Sequence, residues 1–328
     1  MAVLVTGGAG YIGGHMVLAL LDAGQTPVVL DNLSTGFRWT VPEGVAFYEG
    51  DMGDGDLVDR ICAETSIDAI IHFAAKIVVP ESVSDPLGYY LNNTVKARAL
   101  IESAVRNKIP HFIFSSTAAV YGDVQSNPVT EDDVLNPVSP YGRSKLMTEW
   151  ILDDTAKAHD LNYVILRYFN VAGADPQGRT GQSTANATHL IKVACQASLG
   201  TRRGMDVYGT DYPTPDGTCV RDYIHVTDLA RAHLDALAYL RAGGASLKAN
   251  CGYGRGYSVK EVIDVVKKVS GVDFETRIVG RRPGDPPAIV ASNARATGAL
   301  KWTPQHDDLE GIVENALAWE RRLHNRQP

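Results

Sequence analysis

Ala2-Val3-Leu4-Val5-Thr6-Gly7-Gly8-Ala9-Gly10-Tyr11-Ile12-Gly13 is the stretch that decides the fold. Five strand-forming residues run straight into a glycine-dense turn, and a helical pattern follows from Tyr11 to about Ala23. Gly8, Gly10 and Gly13 satisfy a dinucleotide fingerprint, while Gly7, Gly10 and Gly13 give a wider, three-residue spacing. Glycines at such a turn let backbone approach a pyrophosphate, whose charge the helix N-terminus favours. The motif alone is weak, because glycine-rich turns also serve packing.

Its context strengthens it. Further strands are expected at Thr26 to Leu30, Val45 to Glu49, Ala69 to Phe73, His111 to Ser115 and Tyr163 to Arg167. Helices fit between them, notably Gly88 to Asn107 and Tyr141 to His159. Several strands are apolar without alternation, as expected when both faces are covered. The fold class is therefore α/β: a Rossmann-type doubly wound parallel sheet over residues 1–170. From about Asn170 the rhythm breaks, with Gly, Pro, Thr and Asp dense in 173–185 and 209–217. Loops that long are usually functional. Residues 171–328 are read as a smaller, loop-rich α/β lobe for substrate, some segments returning to the first domain.

The second strand ends at Asp31, placed 18 residues after Gly13, where an acidic side chain should accept from the adenosine ribose hydroxyls. A carboxylate there repels a 2′-phosphate, which favours NAD over NADP. Asp51 and Met52 follow the third strand, where adenine would lie, and Phe73-Ala74-Ala75 closes the fourth with small residues that permit close approach. Tyr141 and Lys145 stand at i and i+4 behind Pro140, on one face of a helix. A nearby ammonium is expected to favour the Tyr141 phenolate, making it a base for a hydroxyl proton while hydride leaves for the nicotinamide. Thr117 leaves the fifth strand where its hydroxyl can relay that proton; the alternative for Thr117, Ser115 and Ser116 is to satisfy backbone at the strand end.

Composition bounds the rest. Apolar residues at 45% and charged residues at 21% are those of a globular protein with buried cores. A net charge of −7 disfavours nucleic acid or an anionic membrane as partner. No apolar run is long enough to span a bilayer, and a strand from Ala2 onward leaves no room for a leader. Cys62, Cys195, Cys219 and Cys251 have no CxxC spacing, which points to a reducing cytoplasm, with neither zinc nor a disulfide framework.

With these residues in place, the chain resembles the UDP-galactose 4-epimerase family of extended short-chain dehydrogenases over essentially its whole length. The matching stretches include 4–13, Leu30-Asp31-Asn32-Leu33-Ser34, Ile71 to Ala75, Ser115 to Asp123, Ser139 to Lys145 and Leu166-Arg167-Tyr168-Phe169-Asn170. More specific is the loop Tyr208-Gly209-Thr210-Asp211-Tyr212-Pro213-Thr214, with Asp216-Gly217-Thr218 and Val220-Arg221-Asp222-Tyr223-Ile224-His225-Val226. The resemblance implies that bound NAD takes a hydride from C4 of a UDP-hexose and returns it to the other face of a 4-keto sugar. Tyr141 would be the base, Lys145 its electrostatic partner and ribose anchor, and Thr117 the relay. Tyr11, Ile12, Asn32, Asn92, Ser115 and Tyr168 would join the cofactor site. For the nucleotide sugar it points to Asn170, Tyr208, Arg221, Arg282 and Asp285. Arg221 and Arg282 are suited to a diphosphate, Tyr208 offers a face to uracil, and Asp285 can accept from ribose.

Two positions depart from the family pattern. Ile77 stands where members often carry a cofactor-contacting Lys, with Lys76 just before it. Ile289 occupies the position that gates N-acetylated sugars, so 4-epimerisation of UDP-N-acetyl hexoses, and of UDP-pentoses, stays open beside UDP-galactose and UDP-glucose. Dehydratase or decarboxylase chemistry needs acid and base groups after the Thr, where Ala118 and Ala119 stand. A dinucleotide sensor without catalysis would not need Thr117, Tyr141 and Lys145 together. The family also pairs through the two long helices, which implies a homodimer.

Overall fold

A computed structural model describes residues 1–124, 126–185, 187–282 and 284–326. In chain order the first half runs β1 (Ala2–Thr6), α1 (Tyr11–Asp22), β2 (Thr26–Asp31), β3 (Ala46–Glu49), α2 (Gly55–Glu64) and β4 (Ile67–His72). It continues with α3 (Val79–Ser84), α4 (Pro86–Tyr90), a π-turn (Leu91–Val95), α5 (Lys96–Arg106), β5 (His111–Thr117), α6 (Pro140–Ala158) and β6 (Asn162–Tyr168). The rest comprises β7 (Asn170–Ala172), α7 (Leu190–Ser198), β8 (Met205–Tyr208), β9 (Val220–His225), α8 (Val226–Arg241), β10 (Leu247–Cys251) and β11 (Gly256–Ser258). Last come α9 (Val259–Ser270), β12 (Thr276–Val279), β13 (Ala288–Ile289), α10 (Ala294–Ala299) and α11 (Leu309–Arg326).

Seven strands form one parallel sheet in the order β10-β6-β5-β4-β1-β2-β3. The order reverses between β1 and β4, which opens a crevice at the carboxyl ends of the strands, the place where such sheets bind ligands. The unbroken apolar strands have a simple cause. Val3, Val5, Val29, Ile71, Ile113 and Leu166 face one layer, built on α1 and α8; Leu4, Leu30, Ile70, Phe112 and Ile165 face the other, built on α2, α5 and α6. Each strand thus alternates sides while both sides stay apolar. Because every pair in the sheet is parallel, all the carboxyl ends lie on one edge.

Most element ends shift by a residue or two from expectation, and two differences have a clear cause. The fourth strand starts at Ile67 and stops at His72, because Phe73 leaves the sheet line and sets its ring 4.7 Å from His233. The helix expected over Gly88 to Asn107 begins at Pro86, where the Asp85 side chain accepts from Gly88 N, and it is interrupted by the π-turn. There Asn93 is drawn inward, its amide bonding the Lys76 backbone on both sides and Ser144 Oγ. Segments of the second half do return to the first domain: β10 is the seventh strand of the main sheet, and α8 packs on α1.

The second lobe has its own core of α7, α9, α11 and β8 residues. Small sheets accompany it: β9 pairs with β7, β11 and β13, and β8 with β12. A fourth cluster (Ala118, Val120, Tyr121, Val129, Leu146, Phe169, Ile289, Ala291) joins the lobe to the sheet edge. The functional residues gather around that seam.

Candidate active site

The glycine turn is built by close approach. Gly7 has φ of +73°, and a Cβ there would lie 2.7 Å from Ala74 N, so only glycine lets the loop after β4 press against this turn. A Cβ on Gly13 would lie 2.1 Å from Gly7 O, where the first turn of α1 packs on the loop. Gly10 is different: a Cβ there would meet only Gly7 O, at 3.2 Å. The space in front of α1 is therefore free, its first turn carries no acid, and no side chain caps it. Such a cradle suits a diphosphate, and the residues present fit NAD.

Asp31 is buried and takes Ala9 N–H on one oxygen (2.9 Å) and Leu33 N–H on the other (2.8 Å). Burial raises its carboxyl above the ordinary range, and the two amides oppose that rise. Each oxygen keeps a lone pair for a ribose hydroxyl. Asn32 braces its turn through Ser34 N and reaches Asp51. Asp51 loses hydration, yet Lys96 at 2.5 Å and Gly53 N bring its carboxyl below the usual range. Met52 is buried beside Leu30 and Leu57. Tyr11 donates its hydroxyl to Gly173 O (2.6 Å) and Ile12 packs into the main core, so both present backbone, not side chains, to the cradle.

At the other end, Ser115 Oγ lies 3.1 Å from His233 Nε2, while His233 Nδ1 is 2.8 Å from Leu229 O. A carbonyl only accepts, so Nδ1 carries the proton and Nε2 accepts from Ser115. Burial lowers His233 to about 4 and keeps it neutral. Burial pushes the Tyr168 phenol upward, and the nearby Ser115 hydroxyl opposes that rise. His233 has no local signal in the sequence: it arrives on α8, more than a hundred residues after Ser115. Asn92 donates to Asn93 Oδ1 at 3.0 Å, beside the π-turn contacts.

Thr117 and Tyr141 meet. Ser139 Oγ caps α6 through Gly142 N, Pro140 occupies its first turn, and the Thr117 hydroxyl lies near enough to the Tyr141 phenol to favour its ionised form. Thr117 Oγ also accepts from Ala119 N, so it serves both the backbone and the phenol. Lys145 is not among the groups that shift the Tyr141 phenol in this structure. Burial raises the Tyr141 phenol, opposed only by Thr117. Lys145 instead sits 4.4 Å from the Phe114 ring centroid and is itself lowered to about 7 by burial, with Glu149 opposing the fall. Sealing both groups from water weakens the charged form of each.

Toward the second lobe, Asn170 stands at the start of β7 and lines a small cleft with Gly173, Gln182, His189, Lys192 and Tyr223. Neither Gln182 nor His189 was singled out in the sequence; they bond each other at 2.7 Å. The Arg282 guanidinium covers one face of Tyr208 at 3.7 Å, so at most the other face is free for uracil. Arg221 bonds Val220 O and Pro286 O and lies 3.8 Å from Asp285. Ile289 is buried in the seam cluster. Lys76 does not face the glycine cradle: its ammonium pairs with Glu81 and Asp85 at the surface, and Ile77 is exposed.

Residues 3–252 match the NAD dependent epimerase/dehydratase family. A UDP-glucose 4-epimerase of Azospirillum brasilense is 57% identical over 98% of this chain and 92% of its own length. The structure superimposes on the Bifidobacterium longum UDP-glucose 4-epimerase, crystallised with NAD+ and UDP, with a TM-score of 0.94 at 36% identity over 99% of both chains. It also matches the UDP-Glc/GlcNAc 4-epimerase of Campylobacter jejuni, with a TM-score of 0.86 and 45% identity over 98% of this chain and 99% of that one.

Proposed function

The chain belongs to the NAD-dependent epimerase/dehydratase family, and from that premise we propose that it interconverts UDP-galactose and UDP-glucose at C4. It is an NAD-dependent isomerase. Bound NAD supplies the hydride acceptor and donor. The chain's residues do the rest. Tyr141 takes the proton of the C4 hydroxyl as the C4 hydride departs, and returns it when hydride comes back to the other face. Thr117, beside Tyr141, relays that proton. Lys145, one turn along α6, would be the electrostatic partner of Tyr141 and would anchor the cofactor ribose. Asn170, Tyr208, Arg221, Arg282 and Asp285 hold the UDP moiety across the seam. Ala118 and Ala119 form the turn beyond Thr117 and carry no proton-transferring group, which argues against elimination chemistry.

The observation that carries this reading is the convergence of Thr117, at the carboxyl end of β5, with Tyr141 of α6 on the sheet edge that also carries a glycine cradle fitting NAD. In this reading residues 1–170 bind cofactor and supply Tyr141 and Lys145, and residues 171–328 mainly bind the sugar nucleotide. Among the described residues no helix is long and apolar enough to cross a membrane. A cytoplasmic location suits four free cysteines, three of them buried. A homodimer suits the exposed Val83, Leu87, Leu91, Val95, Met147 and Trp150, which share the α3, α4, π-turn and α6 surface.

The test is product analysis of purified protein with UDP-galactose, without added NAD. Formation of UDP-glucose is expected; no turnover even with NAD supplied would end the reading. The likeness to the Campylobacter jejuni enzyme and an aliphatic Ile289 favour a second reading, in which UDP-N-acetylgalactosamine is also accepted. Conversion of both sugars in the same assay would establish it, and conversion of UDP-galactose alone would mean that Ile289 closes the pocket to the acetamido group.

A further inference from the structure

Behind the reacting groups lies a buried charge that the chemistry above leaves unused. Tyr141, Lys145 and Glu149 stand at i, i+4 and i+8 on the inward face of α6. Glu149 is fully buried, and both of its oxygens are engaged. Arg167 Nη2 donates to Oε2 (2.6 Å), Arg167 Nε to Oε1 (3.1 Å), and Ser116 Oγ to Oε1 (2.5 Å). The chain of bonds continues from Arg167 Nη1 to the Tyr121 hydroxyl (3.0 Å), and from that hydroxyl to Asn250 Oδ1 of β10 (2.7 Å).

Ser116 and Tyr121 bracket Thr117 along the chain. The network therefore grips the strand end carrying Thr117 on both sides and ties it to the helix carrying Tyr141. Separating a buried pair like this leaves an uncompensated charge, so the arrangement resists sliding of α6 along β5. It also sets a carboxylate one turn beyond Lys145, which makes no hydrogen bond of its own among the described residues.

We propose that Glu149 is a positioning residue for the reaction: clamped by Arg167 and Ser116, it fixes the face of α6 that carries Tyr141 and Lys145 against the end of β5 that carries Thr117. The other groups facing this part of α6 do not substitute for it. His72 from β4 is a buried neutral imidazole, Tyr168 from β6 and Tyr89 from α4 are neutral phenols, and Phe114 from β5 offers only a ring face. Arg167 from β6 has the wrong sign. Burial alone drives Lys145 toward neutrality, and Glu149 is the charge that opposes it.

This inference rests on the C4-epimerisation reading, so the wild-type protein must first convert UDP-galactose; if it does not, that reading fails and not this one. The test compares wild type, Glu149→Gln, and the double variant Glu149→Gln/Arg167→Met, which leaves no unpaired charge and guards against simple misfolding. Two quantities are followed against pH: kcat, and the acylation rate of Lys145 by a small anhydride. A charged Lys145 is needed for turnover, so activity falls as pH rises through its pKa. Removing the nearby carboxylate should move that fall, and the onset of acylation, down by about one pH unit, a tenfold change in the charged fraction. Both variants should show the shift, with KM for UDP-galactose little changed. A folded double variant with wild-type kcat, pH profile and acylation onset would overturn the proposal and leave the ion pair a structural brace.

Discussion

Tyr141 and Thr117 touch, while Lys145 and Tyr141 share a helix face without sharing a proton. Burial raises the phenol, and the positive nicotinamide of a bound cofactor would oppose that rise. Tyr141→Phe should cut turnover at least about 100-fold, as expected for loss of a general base, with NAD still retained through denaturing release and absorbance. Undiminished turnover would remove Tyr141 from the chemistry. At the cofactor end, Gly13→Ala places a methyl 2.1 Å from Gly7 O. It should lower stability by about 1–3 kcal/mol, the usual cost of overpacking, and weaken NAD retention. A urea midpoint equal to wild type would show that the turn can relax.

Elements carry the next level of argument. α6 is unusual in burying Tyr141, Ser144, Lys145, Thr148 and Glu149 together, a polar face turned inward because every member finds a partner or a ligand there. The π-turn beside it has a related cause: it turns Asn93 inward to clasp the Lys76 backbone and Ser144. On the outer side, α3, α4, the π-turn and α6 leave an apolar stripe, with Leu87 80% and Trp150 53% exposed. Leu87→Glu with Trp150→Glu places two carboxylates in that stripe and should halve the mass found by sedimentation at micromolar concentration. A wild-type mass already that of one chain would rule the homodimer out.

Across the whole molecule, the imidazoles set the acid limit. Burial lowers His15 and His233 to about 4, and His72 and His225 to about 3. In the unfolded chain each would titrate near 6.5, so between these values the unfolded state binds more protons. Their stabilising effect is full above pH 6.5 and is lost as pH falls toward 4 and then 3, at up to about 1.4 kcal/mol per pH unit each. Asp222, raised to about 6 by burial against four backbone amides, works the other way and offsets part of the loss as pH drops below 6. The urea midpoint should therefore fall clearly between pH 7 and pH 5 at constant slope. A midpoint unchanged over that range would mean that these histidines are not neutral and sealed in solution.

What residues 1–31 spell out is local: a strand, a turn that only glycine can make, a helix start and an acid at the next strand end. Those features depend on backbone geometry and on spacings of a few residues, so they are legible without the fold, and the pairing of Tyr141 with Lys145 on one helix face is legible for the same reason. Thr117 could be nominated but not joined to Tyr141 until β5 and α6 were packed. The remaining parts depend on distance through space. His233 reaches Ser115 only because α8 returns to the sheet, β10 enters beside β6 from eighty residues away, and Arg167 and Glu149 find each other across the core. Arg282 lies over Tyr208, and Lys76 turns to Glu81 and Asp85, for reasons set by neighbours that no local spacing encodes. Charge and hydration belong to that second group as well: a side chain's identity sets its ordinary pKa, but its burial, and hence the sign of the shift at Tyr141 and Lys145, is decided only when the chain closes around it.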